Sequence, residues 1–146
     1  KVVRALCNIK YNKQKKLFIG NLYAKSDWGH AEDYVNAMWK IIQHKQPDDF
    51  VICTGKQYTI KQFINMVAKE LDMKIKWKGK GIKEKAYNEK NRCIIECKAK
   101  YLRPAEVDTL KGNFSKAKRM LKWKPKNDIK SLIKDMIKYE LTSILR

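Results

Sequence analysis

The chain has 146 residues, 44% of them hydrophobic, which is enough apolar material for one globular domain and too much for a typical disordered chain. Its 34 basic side chains outnumber 15 acidic ones and give a net charge of +19, which implies an anionic partner or a lysine-biased proteome. Only five of the bases are Arg, the residue whose planar guanidinium reads nucleic-acid bases, so a sequence-specific nucleic-acid reader is disfavoured.

Helix and strand patterns alternate in the first half of the chain. Residues 1–8 predict the end of a helix and residues 17–20 a short strand. Apolar residues at positions 31, 34, 35, 38, 41 and 42 predict one face of a helix over 31–44. Residues 50–54 predict a buried strand. Thr59 then caps a helix with a regular apolar face, made of Ile60, Phe63, Ile64, Val67, Ala68 and Leu71.

The second half is more basic and less periodic. Residues 74–78 alternate as a half-exposed strand does, 79–92 show no period and predict a mobile loop, and 93–99 predict another strand. Residues 102–113 are expected to be extended, because the residue before Pro104 disfavours helix. Ser115 begins a short helix and Asp128 caps a last one. These elements predict an α/β fold with a small mixed sheet and several helices.

The four cysteines and the chain ends bear on three questions: whether the protein binds a metal, where it is located and whether it is a fragment. There is no Cys-x-x-Cys pair and there are only two histidines, so the spacing disfavours a zinc site, and no metal ligand is predicted. The absence of a secretory signal and of an apolar run of about 20 residues favours reduced thiols, a cytoplasmic location and no membrane partner. Because the chain starts at Lys1, within a helix-like run, we expect a fragment of a longer protein.

No catalytic or cofactor-binding residue is predicted from the chain's own motifs. The six glycines are isolated, so the glycine-rich loop that binds a dinucleotide is missing. Tyr11 and Lys15 have the Tyr-x3-Lys spacing of nicotinamide dehydrogenases, but they lie in a polar turn, where chance explains the match. Asp27, His30 and Asp33 suggest proton transfer or, alternatively, residues that shape and cap a strand-to-helix turn.

Two groups of residues are candidates for binding a nucleotide. Asn21, Lys25 and Asp27 lie in an irregular segment after a strand, where backbone groups and a lysine can hold a phosphate or a base. Arg103 and Glu106 flank a rigid proline, as a cation for a diphosphate and an acceptor for ribose hydroxyls. Surface salt bridges are the alternative interpretation of either group.

Four runs, taken in order, resemble the GDP-mannose 4,6-dehydratases, which are extended short-chain dehydrogenases/reductases. They read IGNLYAKSDWGHAEDYVNAMW, FVICTGK, YLRPAEVDTLKGN and MLKWKPK. The similarity covers nearly the whole chain and corresponds to the C-terminal, substrate-binding portion of that family. The resemblance therefore implies that residues 1–146 form a sugar-nucleotide-binding portion and that the N-terminal Rossmann half, which binds NADP, is absent.

The resemblance also implies an activity and a binding site. In the family, NADP oxidises C4 of the GDP-linked mannose, water leaves across C5 and C6, and the hydride returns to C6; members form homo-oligomers. The matched positions imply GDP-mannose binding by Lys1, Asn21, Leu22, Lys25, Arg103 and Glu106. Ser26 stands where the family has Arg. The catalytic residues of the family lie outside this chain, so the fragment alone is expected to be inactive. A basic, non-enzymatic module that binds polyanions or nucleic acid is the alternative.

Overall fold

A computed structural model describes residues 1–102 and 111–144, in which helices cover one face of a small sheet. The helices in these ranges are α1 (Val2–Lys10), α2 (Ala31–Ile42), α3 (Ile60–Glu70), α4 (Ser115–Met120) and α5 (Ile129–Ile144). The strands are β1 (Leu17–Ile19), β2 (Lys25–Ser26), β3 (Tyr58–Thr59), β4 (Lys76–Lys78), β5 (Lys85–Tyr87) and β6 (Cys93–Cys97). The helices begin and end close to the residues that the apolar spacing predicts.

The main sheet is mixed and has the strand order β1-β6-β5-β4. β1 and β6 are parallel, whereas β6, β5 and β4 pair antiparallel. Leu17, Ile95 and Ala86 are neighbours across three strands and are all buried, while the next row has Phe18, Glu96 and Lys85 on the opposite face. The predicted α/β fold with a small mixed sheet is therefore confirmed.

Helices α1, α3 and α5 pack on one another and enclose the main core. α3 starts with a capping box: the Thr59 hydroxyl accepts from the Gln62 N–H, and the Gln62 side chain accepts from the Thr59 N–H. Asp128 accepts from the Ser131 N–H at 2.8 Å at the start of α5. Both predicted caps are confirmed, and none of the helices in the described ranges is long and apolar enough to cross a membrane.

A second, smaller core joins α2 to α4. It consists of Ala37, Ala117, Leu121 and Trp123, with partly buried neighbours that include Phe50 and Ile52. The Trp123 indole N–H donates to the Asp33 carbonyl at 3.0 Å, so the buried polar atom of this large side chain is satisfied. This core holds α2 and the 50–54 segment together.

The prediction of a strand at 50–54 is wrong for the described residues. The segment has no strand partner there, and Val51 is 55% exposed instead of buried. At its end, the N–H groups of Thr54 and Gly55 donate to the Asp27 carboxylate instead of to a neighbouring strand. An apolar run favours a strand, but a strand also needs a neighbour to pair with.

The prediction that 79–92 form a mobile loop is also wrong, because β5 lies within this range and pairs with both β4 and β6. Three residues are too few to show a period of two in the sequence. Glu84, just before β5, is 2% exposed, and a buried acid in a lysine-rich run gives no apolar signal. The tertiary partners of this segment, not its own pattern, determine its structure.

The apolar residues of α2 do not all face the core as predicted. Tyr34 and Ile41 pack against the second core, but Val35, Met38 and Ile42 are exposed. The predicted face therefore divides into an inner and an outer part, and Trp39 adds to the outer one.

Candidate functional site

The carboxyl ends of the parallel strands β1 and β6 meet at one edge of the main sheet. The Lys98 N–H donates to the Ile19 carbonyl at 2.8 Å, which joins the two strand ends. One residue further on, Gly20 packs so closely that a Cβ there would lie 2.1 Å from the Tyr101 carbonyl oxygen. Only glycine fits this approach, so the segment that follows β1 lies directly against the segment that follows β6.

Lys1 lies beside the same edge. Its ammonium is 4.4 Å from the centroid of the Tyr101 ring, within the range of a cation–π interaction. Lys1 and Tyr101 line an open groove of about 580 Å³ together with Phe18 and Lys16. The groove has exposed aromatic faces and basic side chains, which suit an anionic ligand that carries a ring.

Asn21 and Leu22 follow Gly20 and have different environments. The Asn21 Oδ1 accepts from the Tyr23 N–H at 2.8 Å and stabilises a tight turn of the backbone. The Leu22 side chain is 2% exposed and belongs to the main core, and its carbonyl accepts from the Lys61 N–H at 2.9 Å. Leu22 thus anchors the turn that Asn21 shapes.

Lys25 and Ser26 form β2, a short ribbon with β3, where they pair with Thr59 and Tyr58. Lys25 is exposed and Ser26 is half-buried. Lys25 therefore belongs to the β2–β3 ribbon, whereas Lys1 and Tyr101 lie beside the end of β1.

Arg103 and Glu106 lie outside the described residues. The described chain reaches Leu102, immediately after the tyrosine that contacts Gly20. Of the predicted site residues that the structure describes, Lys1 contacts Tyr101, and the Asn21 turn directly follows Gly20, which also contacts Tyr101. Tyr101 lies two residues before Arg103 in the sequence.

Asp27 organises the turn at 54–55. Its carboxylate accepts from the Thr54 N–H at 3.1 Å, from the Thr54 hydroxyl at 2.6 Å and from the Gly55 N–H at 2.8 Å. Both oxygens of the carboxylate thus accept hydrogen bonds from backbone or hydroxyl donors. Asp27 has the environment of a residue that shapes a turn.

His30 and Asp33 have similar structural roles. His30 is the N-cap of α2, where its Nδ1 accepts from the Glu32 N–H at 3.3 Å, and its Nε2 lies 3.1 Å from an Asp135 oxygen. The buried Asp33 carboxylate accepts from the Asn127 N–H at 2.9 Å. Asp27, His30 and Asp33 contact different parts of the fold, so the geometry favours the interpretation of turn shaping and capping over proton transfer.

Sequence reasoning missed Glu84, which is buried beneath the Asn21 turn. Its carboxylate accepts from the Tyr23 hydroxyl at 2.6 Å and from the Lys61 ammonium. Burial acts to raise the pKa of Glu84, but the hydrogen bonds from Lys61 and Tyr23 outweigh it and hold that pKa below its usual range. The hydrogen bond to Glu84 in turn raises the pKa of Lys61. No local pattern links residues this far apart.

The described residues do not fit a dinucleotide such as NADP. That cofactor is held by a glycine-rich turn between a strand and the N-terminus of a helix. Here β1 is followed by Gly20, and the Tyr101 backbone occupies the space beside this glycine. The chain then continues into the β2 ribbon instead of a helix. The groove lined by Lys1 and Tyr101 lacks this strand–loop–helix arrangement. Groups of His, Cys, Asp and Glu able to hold a metal ion are likewise not found within 1–102 and 111–144.

Comparison with known proteins relates the chain to one family. A family model described as GDP-mannose 4,6 dehydratase matches residues 1–136. The chain is 41% identical over 145 residues to the GDP-mannose 4,6 dehydratase of Dictyostelium discoideum, a match that covers 99% of the chain and 41% of that protein. It is 42% identical over 137 residues to GDP-mannose 4,6 dehydratase 2 of Caenorhabditis elegans, covering 94% of the chain and 36% of that protein. The chain thus spans about two-fifths of the length of these relatives.

Solved structures confirm the fold. The chain is similar to RMD from Pseudomonas aeruginosa complexed with NADPH, with a TM-score of 0.75 and 17% identity over 97% of the chain and 41% of that protein. It is also similar to UDP-glucose 4-epimerase from Bifidobacterium longum in complex with NAD+ and UDP, with a TM-score of 0.72 and 14% identity over 99% of the chain and 40% of that protein. Each match again covers only part of the longer protein.

Proposed function

Because the chain belongs to the GDP-mannose 4,6-dehydratase family, we propose that it forms the sugar-nucleotide-binding portion of such an enzyme. The whole protein then converts GDP-mannose to GDP-4-keto-6-deoxymannose in deoxysugar synthesis. The observation that carries the proposal is the family match over residues 1–136, which includes the Asn21 turn and the 101–106 run. The contact of Gly20 with Tyr101 supports it, since Gly20 directly precedes the Asn21 turn and Tyr101 is the first residue of the second run.

The proposed site has charges suited to a nucleoside diphosphate. Arg103 binds the diphosphate, because a planar guanidinium spans two phosphate oxygens, and Glu106 accepts from ribose hydroxyls. Lys1 adds positive charge beside the Tyr101 ring, and the exposed Lys25 adds more from the β2 ribbon. Asn21 contacts the nucleoside, while Leu22, which is buried, supports that wall from the core.

The redox and proton-transfer steps belong, in this proposal, to the N-terminal half of a family-length protein. When bound there, NADP accepts and returns the hydride. The residues of this chain hold and orient GDP-mannose, and the chain alone has no catalytic residue. We further propose that the complete protein is a cytoplasmic homo-oligomer.

Protection against heat tests the binding site. GDP at a hundred times its dissociation constant should stabilise the folded chain by about 2.7 kcal/mol, and the melting temperature should rise accordingly. Arg103→Ala should abolish this protection, because it removes the diphosphate contact. Arg119→Ala is the matched control, since Arg119 is an exposed arginine on α4, and it should leave the protection unchanged.

Two further measurements sharpen the test. Ser26→Arg restores the cation found in the family and should tighten GDP binding about tenfold or more, the effect of a hydrogen bond to a charged group. Inorganic polyphosphate should protect less than GDP does. If polyphosphate protects equally and Arg103→Ala has no effect, the chain binds polyanions without a specific pocket and the proposal is wrong. Turnover of GDP-mannose by the 146-residue chain with NADP would contradict the assignment of catalysis to the other half.

A further inference from the structure

Tyr23 is held at both its backbone and its hydroxyl, although it is 51% exposed. Its N–H donates to the Asn21 Oδ1 at 2.8 Å, and its hydroxyl donates to the Glu84 carboxylate at 2.6 Å. An exposed tyrosine in a turn ordinarily moves among several rotamers, and its hydroxyl bonds to water. Here the bond to a carboxylate far along the chain selects one rotamer, so the position of Tyr23 is set by the fold and not by the turn alone.

Glu84 is a rigid anchor for this hydroxyl. It is 2% exposed, and its other carboxylate oxygen accepts from the Lys61 ammonium. A buried carboxylate with both oxygens bonded cannot shift without leaving a charge unpaired. Lys61 also holds the turn directly, because its backbone N–H donates to the Leu22 carbonyl at 2.9 Å and its ammonium lies 5.8 Å from the Tyr23 ring centroid. The residue that follows Leu22 is therefore attached to both α3 and the segment before β5.

The placement of Tyr23 determines the orientation of the Asn21 amide. A backbone N–H needs an acceptor, so the bond from the Tyr23 N–H turns the oxygen of that amide, not its nitrogen, toward Tyr23. Without the hydroxyl bond, Tyr23 and its N–H would be free to move, and the turn would occupy several conformations. A site whose binding-competent conformation is only partly populated loses affinity in proportion to that fraction.

We propose that Tyr23 is a positioning residue of the nucleotide site, whose hydroxyl bond to Glu84 keeps the Asn21 turn in the conformation that binds GDP. Tyr23 acts through Asn21 and need not touch the ligand itself. The inference rests on the proposed function, in which Asn21 contacts the nucleoside.

Calorimetric titration of the chain with GDP tests this role. Tyr23→Phe keeps the ring and removes only the hydroxyl, and it should raise the Kd about five- to tenfold, as expected when the competent turn is populated in roughly a fifth to a tenth of the molecules. Tyr139→Phe removes the hydroxyl of a 70% exposed tyrosine on α5 and should leave the Kd unchanged. Asp128→Ala removes the cap of α5, so it should lower the melting temperature without changing the Kd.

A double-mutant cycle shows whether Tyr23 acts through Glu84. In a Glu84→Ala background the Tyr23 hydroxyl has already lost its acceptor, so adding Tyr23→Phe should change the Kd for GDP by less than about twofold. Independent, additive effects of the two substitutions would overturn the proposal. If Glu84→Ala does not fold, the pH dependence of GDP binding decides instead.

The pH dependence of the Kd distinguishes positioning from a loss of stability. Burial acts to raise the pKa of Glu84, and Tyr23→Phe removes one of the two hydrogen bonds that lower it, so this pKa should rise in the variant. The buried Cys97 thiol also faces Glu84; burial and the charge of Glu84 raise the pKa of the thiol, which stays neutral. The ratio of the Kd of Tyr23→Phe to that of the wild-type chain should therefore increase as the pH falls from about 7.5 to about 5. Titration of GDP itself cancels in this ratio.

The outcomes separate this inference from the proposed function. Wild-type affinity in Tyr23→Phe, a Kd ratio that does not depend on pH, or an equal loss of affinity in Asp128→Ala would each overturn the positioning role. If Arg103→Ala abolishes GDP binding while Tyr23→Phe binds normally, the proposed function stands and only the role of Tyr23 is wrong. A wild-type chain that binds no GDP would refute the proposed function and the role of Tyr23 with it.

Discussion

Glu96 is the residue with the strongest electrostatic perturbation among those described. It lies in β6 on the face of the sheet away from the helices, and three ammonium groups surround it: Lys16 at 2.7 Å, Lys98 at 3.3 Å and Lys85 at 3.6 Å. The hydrogen bonds from Lys16 and Lys98 lower the pKa of Glu96 from 4.5 to about 2. The negative charge of Glu96 thus offsets the repulsion among these three lysines.

This lowered pKa predicts a pH-dependent contribution to stability. Since the charged form is favoured by folding, the contribution is complete above pH 4.5 and is lost as the pH falls towards about 2. Glu96→Gln should therefore lower the free energy of unfolding at pH 6, and the difference from the wild-type chain should vanish near the lower end of that range. Urea denaturation across the range measures it.

Glu89→Gln is the control for the loss of charge, because Glu89 is an exposed acid whose ammonium partner, Lys74, is 3.5 Å away. A difference between the Glu96→Gln variant and the wild-type chain that persists unchanged at acid pH would contradict the electrostatic interpretation.

At the scale of elements, Glu84 ties the β4–β5 hairpin to the rest of the fold. Through Tyr23 it contacts the turn after β1, and through Lys61 it contacts α3. The Lys61 ammonium also lies 5.1 Å from the Trp77 ring centroid on β4. One buried carboxylate thus joins three elements next to the Asn21 turn.

We expect Glu84→Ala to lower the free energy of unfolding by about 1.5 to 3 kcal/mol, the range for a hydrogen bond to a charged group. The loss stays within that range because Lys61 and Tyr23 are partly exposed and can hydrogen-bond to water instead. Chemical denaturation at neutral pH measures the change. Glu89→Ala, in the turn that follows β5 and exposed, should change it by no more than about 0.5 kcal/mol. A similar loss of unfolding free energy in both variants would show that the buried contacts of Glu84 do not connect the hairpin to the rest of the fold.

The elements also show what the sequence could and could not predict. The longer helices were predictable because an apolar period over nine or more residues, together with caps such as Thr59, is a local signal. The 50–54 and 79–92 segments were not, because a strand depends on its pairing partners. The 50–54 segment has none in the described ranges, whereas β5, within 79–92, pairs with β4 and β6. The same limit applies to the site: the approach of Gly20 to Tyr101 results from parallel pairing of β1 with β6, which leaves no mark in the local sequence.

At the scale of the whole molecule, positive charge dominates the surface. The exposed face of the sheet has the cross-strand row Phe18, Glu96, Lys85 and Lys78, which contains one acid and two bases. Across the chain, 34 basic side chains face 15 acidic ones, so most ammonium groups have no acid to pair with. A net charge this far from zero keeps molecules apart but destabilises the compact state through self-repulsion.

We therefore expect salt to stabilise the chain. Raising NaCl from about 0.1 M to about 1 M shortens the screening length from about 10 Å to about 3 Å, which weakens repulsion between lysines that are not in contact. Salt also weakens exposed ion pairs, but each of these contributes at most about 1 kcal/mol, and the unpaired bases are more numerous. The melting temperature should rise with NaCl, and it should rise further than in sucrose of equal osmolality, which excludes a general solute effect. A melting temperature that falls with salt would mean that the ion pairs outweigh the repulsion and would contradict this prediction.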